Sequence, residues 1–362
     1  MKSLLGALAG LTIACLLATN AGAVTVGGQY PQYVGAGTLN IAISGVWNTM
    51  LANVKAELDK YDNQEKLAKG FANANTYSTN VATLEGYQDY SLFALMTGAM
   101  VSLQVPAFAY NKDYVTDMRY KIERDGDAYL GVGAGIATVN AGVNAGFIFP
   151  GLYINLKYGQ VAINFENINS EMEGFSYKEL LLGAGVNQII FWPRKIPGLF
   201  KWRGLAIGAG FYYSKTENAI KILKSTIQET VDTTYTLTID PSFKIQTISE
   251  TITVPVDIST AFVFFSVLNI SLGTGVDFNF GSSEIKLQAA GPVTTDYTAS
   301  ELSQPGFITI EGGTKEKKPT TINPKVTAGI GLNLSVVKID IPFAVYYMEA
   351  GFSLGLSAGI VW

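Results

Sequence analysis

From about residue 90 onward the chain alternates between two kinds of residue. Leu268, Ile270, Leu272, Thr274, Val276, Phe278 and Phe280 hold one parity, and Asn269, Ser271, Gly273, Gly275, Asp277 and Asn279 hold the other. Successive side chains of a strand point to opposite faces, so this stretch predicts a strand with one apolar face and one small or polar face. Leu130, Val132, Ala134 and Ile136, then Leu205, Ile207, Ala209, Phe211 and Tyr213, then Ile330, Leu332, Leu334 and Val336 repeat the scheme. A soluble sandwich also alternates, but it places Lys and Glu on its wet face. Here the second face is mostly Gly, Ser and Asn, which suits the crowded inside of a closed barrel whose apolar face meets lipid. The expected fold class is all-β, a transmembrane antiparallel β-barrel of 12–14 strands over residues 89–362. Strands are predicted near 90–104, 128–137, 141–149, 152–158, 161–170, 176–190, 204–215, 252–265, 268–280, 325–336, 339–347 and 351–361, with a further hairpin in the Thr-rich stretch 226–250. Gly159-Gln160 and Val337-Lys338 suit short periplasmic turns, and the polar segments 107–127, 217–251 and 281–324 suit extracellular loops. Trp192, Phe200 and Trp202, with Pro193 and Pro197 between them, suit an aromatic girdle at the membrane interface.

Before residue 89 the period changes. Ile43, Val46, Trp47, Met50, Leu51, Val54 and Leu58 recur at the spacing of one helical stripe. A second, more polar helical stretch is predicted over about Asn63 to Phe71, and Ala72 to Gly86 reads as irregular. An amphipathic helix must bury its stripe, and the barrel lumen is the nearest covered surface. Residues 24–88 are therefore expected to form a plug or hatch; a separate periplasmic domain and a helix lying on the membrane interface are the alternatives. Residues 1–23 read as a signal peptide: Met1-Lys2, an apolar run from Leu4 to Leu17, and a cleavage site at Ala21-Gly22-Ala23 that leaves Val24 first. Thr12-Ile13-Ala14-Cys15 is a poorer match to a lipoprotein site, because Thr stands three residues before the Cys and the apolar run continues past it.

Composition narrows the chemistry. Charged residues make up 15% of the chain, against about 25% in a typical soluble protein. No histidine is present, which removes imidazole as base, shuttle or metal ligand. The net charge of −4, with four Arg among 25 basic residues, gives nucleic acid no basic surface to rest on. Glu171 and Glu173 are expected to be solvated loop carboxylates. Glu123, Asp125 and Asp127 lack the regular spacing of a calcium loop. Gly131-Val132-Gly133-Ala134-Gly135 has no following basic residue or helix start, so it reads as a strand with a glycine face and not a phosphate loop. No catalytic residue, metal or cofactor is expected.

Phe352, Leu354, Leu356, Ala358, Ile360 and Trp362 form one apolar parity that ends on the terminal aromatic. That ending resembles the assembly signal of bacterial outer-membrane barrels, which implies the outer-membrane assembly machinery as a partner beside the lipid bilayer. A helical segment followed by a barrel resembles, in architecture, the long-chain fatty-acid transporter family. That family's Asn-Pro-Ala hatch motif is missing, since Asn323-Pro324 is followed by Lys325. The Ala74–Asn80 run, the strand Asp89–Met96 and the Gly-rich ending are similar to a group of spirochaetal outer-membrane surface proteins that includes leptospiral adhesins. Two functions follow as expectations. One is passive passage of small solutes, apolar ones among them, across the outer membrane. The other is a surface adhesin whose barrel anchors long loops against a host component. A soluble periplasmic β protein is the third reading.

Overall fold

The computed structural model of the chain describes residues 22–59, 65–87, 89–105, 131–165, 174–196, 199–222, 227–231, 234–298, 300–314, 316–348 and 350–362. In chain order its elements are β1 (Gly22–Gln29), β2 (Gln32–Tyr33), α1 (Gly37–Asp59), α2 (Glu65–Ser78), β3 (Phe93–Gln104), β4 (Gly131–Asn144), β5 (Leu152–Asn164), β6 (Phe175–Phe191), β7 (Arg194–Ile196), β8 (Phe200–Ile222), β9 (Ile227–Val231), β10 (Tyr235–Ile239), β11 (Ser242–Phe264), β12 (Leu268–Thr295), β13 (Leu302–Gln304), β14 (Gly306–Gly313), β15 (Ile322–Leu334), β16 (Val337–Tyr346) and β17 (Gly351–Val361).

Among these, β3, β4, β5, β6, β8, β11, β12, β15, β16 and β17 pair antiparallel in that order, and β17 returns to β3. The ring closes, so the antiparallel barrel class expected from the alternation holds. The described ring has ten strands and not twelve to fourteen. The difference lies in two breaks expected where none exists: 128–137 and 141–149 are one strand, β4, and 152–158 and 161–170 are one strand, β5. Gly159-Gln160 is no turn, because Gly159 pairs across to both Thr138 and Leu181. The outward parity is mostly apolar, with polar exceptions such as Gln160 on β5 and Lys178 on β6. On β15, Ile322, Val326, Ile330, Leu332 and Leu334 are exposed, while Asn323, Lys325, Thr327, Gly329, Gly331 and Asn333 are buried inside. No described helix is long and apolar enough to cross a membrane.

Beyond the ring the sheet continues. β8 and β11 stay paired up to Ile222–Phe243, and β12 exchanges its neighbour β15 for β14 past Phe278. β1 adds to β14, and the β9–β10 hairpin adds to the end of β12. Segments 217–251 and 281–324, expected as polar loops, are therefore largely strand. Their Thr-rich stretches carry β-branched residues that favour a pleated surface. The stripe of α1 packs on this extension and not in the lumen. Ile43, Trp47 and Met50 are buried with Leu237, Ile239, Ile285, Leu287, Ile308 and Ile310, and Val46 and Leu51 are partly buried against the same cluster. The side chains of Val54 and Leu58 lie outside the described set. An apolar stripe needs an apolar wall, and the extension supplies it where the polar lumen does not.

Candidate functional site

The lumen is occupied by the polar helix. α2 extends beyond the expected Phe71 to Ser78 and touches β3, β4, β8, β11, β12 and β17, which puts wall on opposite sides of it. Asn73, Asn75, Thr76, Tyr77 and Ser78 are buried, and so are Tyr87 and Tyr90 on the turns that lead to β3. Within this run Thr76, Ser78 and Thr79 satisfy their hydroxyls locally, each donating to a carbonyl three residues back. Asn75 and Tyr77 find polar partners on the wall. Asn75 donates to the Ser214 carbonyl at 3.2 Å and to Thr251 at 2.8 Å. Tyr77 donates to Gln104 at 2.6 Å and stacks on Tyr346 with ring centroids 3.8 Å apart.

The glycine face of β4 has a specific purpose in this packing. A Cβ on Gly131 would fall on the Gly70 carbonyl of α2, and one on Gly133 on the Ala74 carbonyl. The helix backbone lies directly on the strand, which only glycine permits.

Below α2 the charged residues of the lumen gather. Lys325, its side chain wholly buried, reaches Asp277 at 2.8 Å, Asp257 at 3.2 Å and the Asn80 amide oxygen at 3.3 Å. Lys157 donates to the Thr79 carbonyl at 2.7 Å and lies over the Tyr212 ring. Glu85 accepts from Thr327 at 2.8 Å. The space between Asn80, Glu85, Lys157, Tyr212 and Asp257 is only about 40 Å³. At the short-turn end Asp89 pairs with Arg203 and Lys201. Burial alone would push the Asp89 carboxyl up, but Arg203 and Lys201 outweigh it and hold it below its ordinary value.

The wall itself parts at one place. β4 and β5 pair only from Thr138↔Gly159 to Asn144↔Tyr153. Past that point β5 follows β6 alone, and residues 131–137 of β4 stay with β3. A bulge opposite Gly98–Met100, with Ala137 at φ 53, turns β4 away. Two β6 side chains take over the backbone partners that β5 gives up: Glu179 accepts from the Ile136 amide at 2.7 Å, and Tyr177 donates to the Ala134 carbonyl. Beside the parting is an apolar cavity of about 160 Å³, lined by Phe71, Val132, Ala134, Ile136, Phe165, Phe175, Ile220 and Ile245 among others. An engineered apolar cavity of about 150 Å³ holds benzene.

Sequence reasoning did not single out Lys157, Asp257, Asp277, Lys325 or Glu179. Part of their signal was present: each is a charge inside an expected strand, and Asp257, Asp277 and Lys325 stand on a parity of mostly small or polar residues. Of the residues it did single out, Leu354, Leu356, Ala358, Ile360 and Trp362 face outward and Phe352 is half exposed. Trp192 is exposed, Phe200 and Trp202 are half-buried, and Trp202 donates to Thr260. Ala23 and Val24 lie in β1; Ala21 and Cys15 are outside the described residues, as are Glu123, Asp125, Asp127, Glu171 and Glu173. Among the described residues no His, Cys, Asp or Glu cluster is arranged to hold a metal.

Ring, lipid-facing parity and filled lumen define a transmembrane β-barrel occluded by its own N-terminal segment. The chain belongs to the Lsa36-like family, whose model matches residues 22–362. No curated protein is significantly similar to it in sequence. Among solved structures it is similar to the translocator domain of the autotransporter NalP from Neisseria meningitidis, at 8% identity over 75% of this chain and 89% of that one, TM-score 0.26. A Pseudomonas aeruginosa FadL homologue aligns at 9% identity over 82% and 96%, TM-score 0.25. The Acinetobacter baumannii outer membrane protein Omp33 aligns at 8% identity over 75% and 99%, TM-score 0.24.

Proposed function

We propose that the protein is an outer-membrane barrel that passes small apolar solutes by a route along its wall, with the lumen closed. The observation that carries this reading is the apolar cavity where β4 leaves β5. Short turns conventionally lie on the periplasmic side and long connections outside. On that rule the cavity belongs to the outer half of the barrel, and β1 and α1 stand beyond the outer surface. A solute from outside enters beside Phe71 and leaves between β4 and β5 into the bilayer, without displacing the buried ion pairs of the lumen. The test is uptake of radiolabelled toluene by lipopolysaccharide-covered cells. Expression of the protein should raise uptake, and Ala134→Phe, which fills the cavity, should return it to the level of cells without the barrel. Equal uptake by all three would defeat the reading.

A second reading, a surface adhesin, is favoured by the sheet extension that carries α1. On the same orientation this is a folded platform of several strands outside the membrane, with its own apolar core. Replacing the hairpin β9–β10 by a short turn should then lower binding to a host-matrix component, measured on intact cells. Unchanged binding would count against it.

A further inference from the structure

At the short-turn mouth of the barrel, opposite the apolar cavity, lies a second cavity of about 300 Å³. Four cations line it: Lys195, Lys201, Arg203 and Lys338. Asp89 is the carboxylate that meets them, and it is taken by Lys201 and Arg203. Arg203 also donates to Asn269 at 3.2 Å and Asn333 at 3.3 Å, which fixes the guanidinium in place. Lys338 donates to the Ser335 carbonyl and sits within electrostatic reach of both Arg203 and Lys201. Four positive charges against one negative leave an excess of three at one mouth, in a chain whose net charge is −4.

The backbone pairing makes this crowding more pointed. In the β7–β8 hairpin Lys195 stands directly across from Lys201. Like charges opposite one another on a sheet repel, and the arrangement costs stability unless an anion lies between them. Lys195 is exposed and can swing toward the cavity, while Arg203 and Lys338 are buried and fixed. Leu199, Phe200 and Val263 share the rest of the lining with Ser266, Asn333 and Ser335, which add hydroxyl and amide groups able to hydrogen-bond an anion.

We propose that this mouth is an anion-binding site that takes a phosphate group between Lys195, Lys201 and Lys338, with Arg203 held behind them by Asp89. The phosphate is either that of a small free polyanion or the headgroup of an anionic phospholipid. The proposal stands independently of the apolar route.

The test uses the full folded protein in neutral detergent, with inorganic pyrophosphate as the free anion and phosphatidylglycerol mixed micelles as the lipid source, each against phosphatidylcholine micelles. Binding is followed by calorimetric titration and by the midpoint of thermal unfolding. A saturable rise in midpoint with pyrophosphate assigns the site to free anions, and a rise only with phosphatidylglycerol assigns it to headgroups. In either case added salt should weaken binding, and Lys195→Gln with Lys338→Gln should weaken it about tenfold or more. Lys286→Gln on the sheet extension should leave it unchanged. No saturable binding of either probe, or equal binding by wild type and the double variant, would overturn the proposal. If the double variant folds poorly, Lys195→Gln alone serves, since Lys195 is exposed.

Discussion

Lys325 is the residue on which the lumen is built. Its ammonium is fully enclosed and touches two wall carboxylates and one amide of the central segment, so it ties β11, β12 and β15 to residue 80. Removing one partner of a buried ion pair leaves the other charge uncompensated, at a cost of about 3–5 kcal/mol. Lys325→Met should therefore lower stability by that order in urea unfolding of the detergent-folded barrel, and Lys325→Met with Asp277→Asn should recover part of it. Asp89 gives the pH dependence. Its folded value lies below the ordinary carboxylate value of 3.8, so its contribution is fully present above that value. It is lost as the pH falls through the depressed folded value. Asp89→Asn should remove this acid-limb component of the unfolding midpoint while leaving the midpoint above pH 6 lower and flatter. These residues were legible in the sequence only to the extent that parity was followed. Asp277 was read on the polar parity of its strand; Lys325 was noticed only for the motif it failed to complete.

At the level of elements, the place in the lumen expected for the striped helix α1 is taken by the polar helix α2. The apolar stripe of α1 was expected in the lumen because a stripe must be covered, and that much of the physics held: Ile43, Trp47 and Met50 are covered. What the sequence does not reveal is that the nearest apolar wall stands beyond the ring, and that a polar lumen selects the polar helix. Asn73, Asn75 and Tyr77 look like loop residues until each is seen with a wall partner. The glycines of β4 were read correctly as one face of a strand, yet the reason for them, a helix backbone laid against that face, depends on a neighbour some sixty residues away. Gly133→Val should push α2 from β4 and cost about 1–3 kcal/mol, as overpacking does. The same change at Gly45, on α1 with nothing near its Cβ, should act only through helix propensity. Comparing the two unfolding midpoints checks this.

On the scale of the whole molecule the alternation fixed the class of fold, because a two-faced strand repeated around a ring allows few other closures. The count of strands was harder to read. Ala137 breaks the period in the middle of β4 with a bulge, and a bulge and a turn look alike in sequence. The bulge marks the part of the ring where β4 leaves β5, so one of the two breaks that misled the count is also the observation on which the proposed function rests. The proposed orientation rests on connection length. A tag inserted between β9 and β10, on the sheet extension, should be reached by antibody on intact cells; access only after permeabilisation would reverse the orientation.

The central claim is that the lumen is closed to water while the wall offers an apolar site. Planar-bilayer recording of the purified, folded protein tests the first half directly. A barrel filled by α2 and pinned by Lys157, Lys325 and Asp89 should insert without any steady ion conductance. A stable open conductance in the unmodified protein would contradict the account.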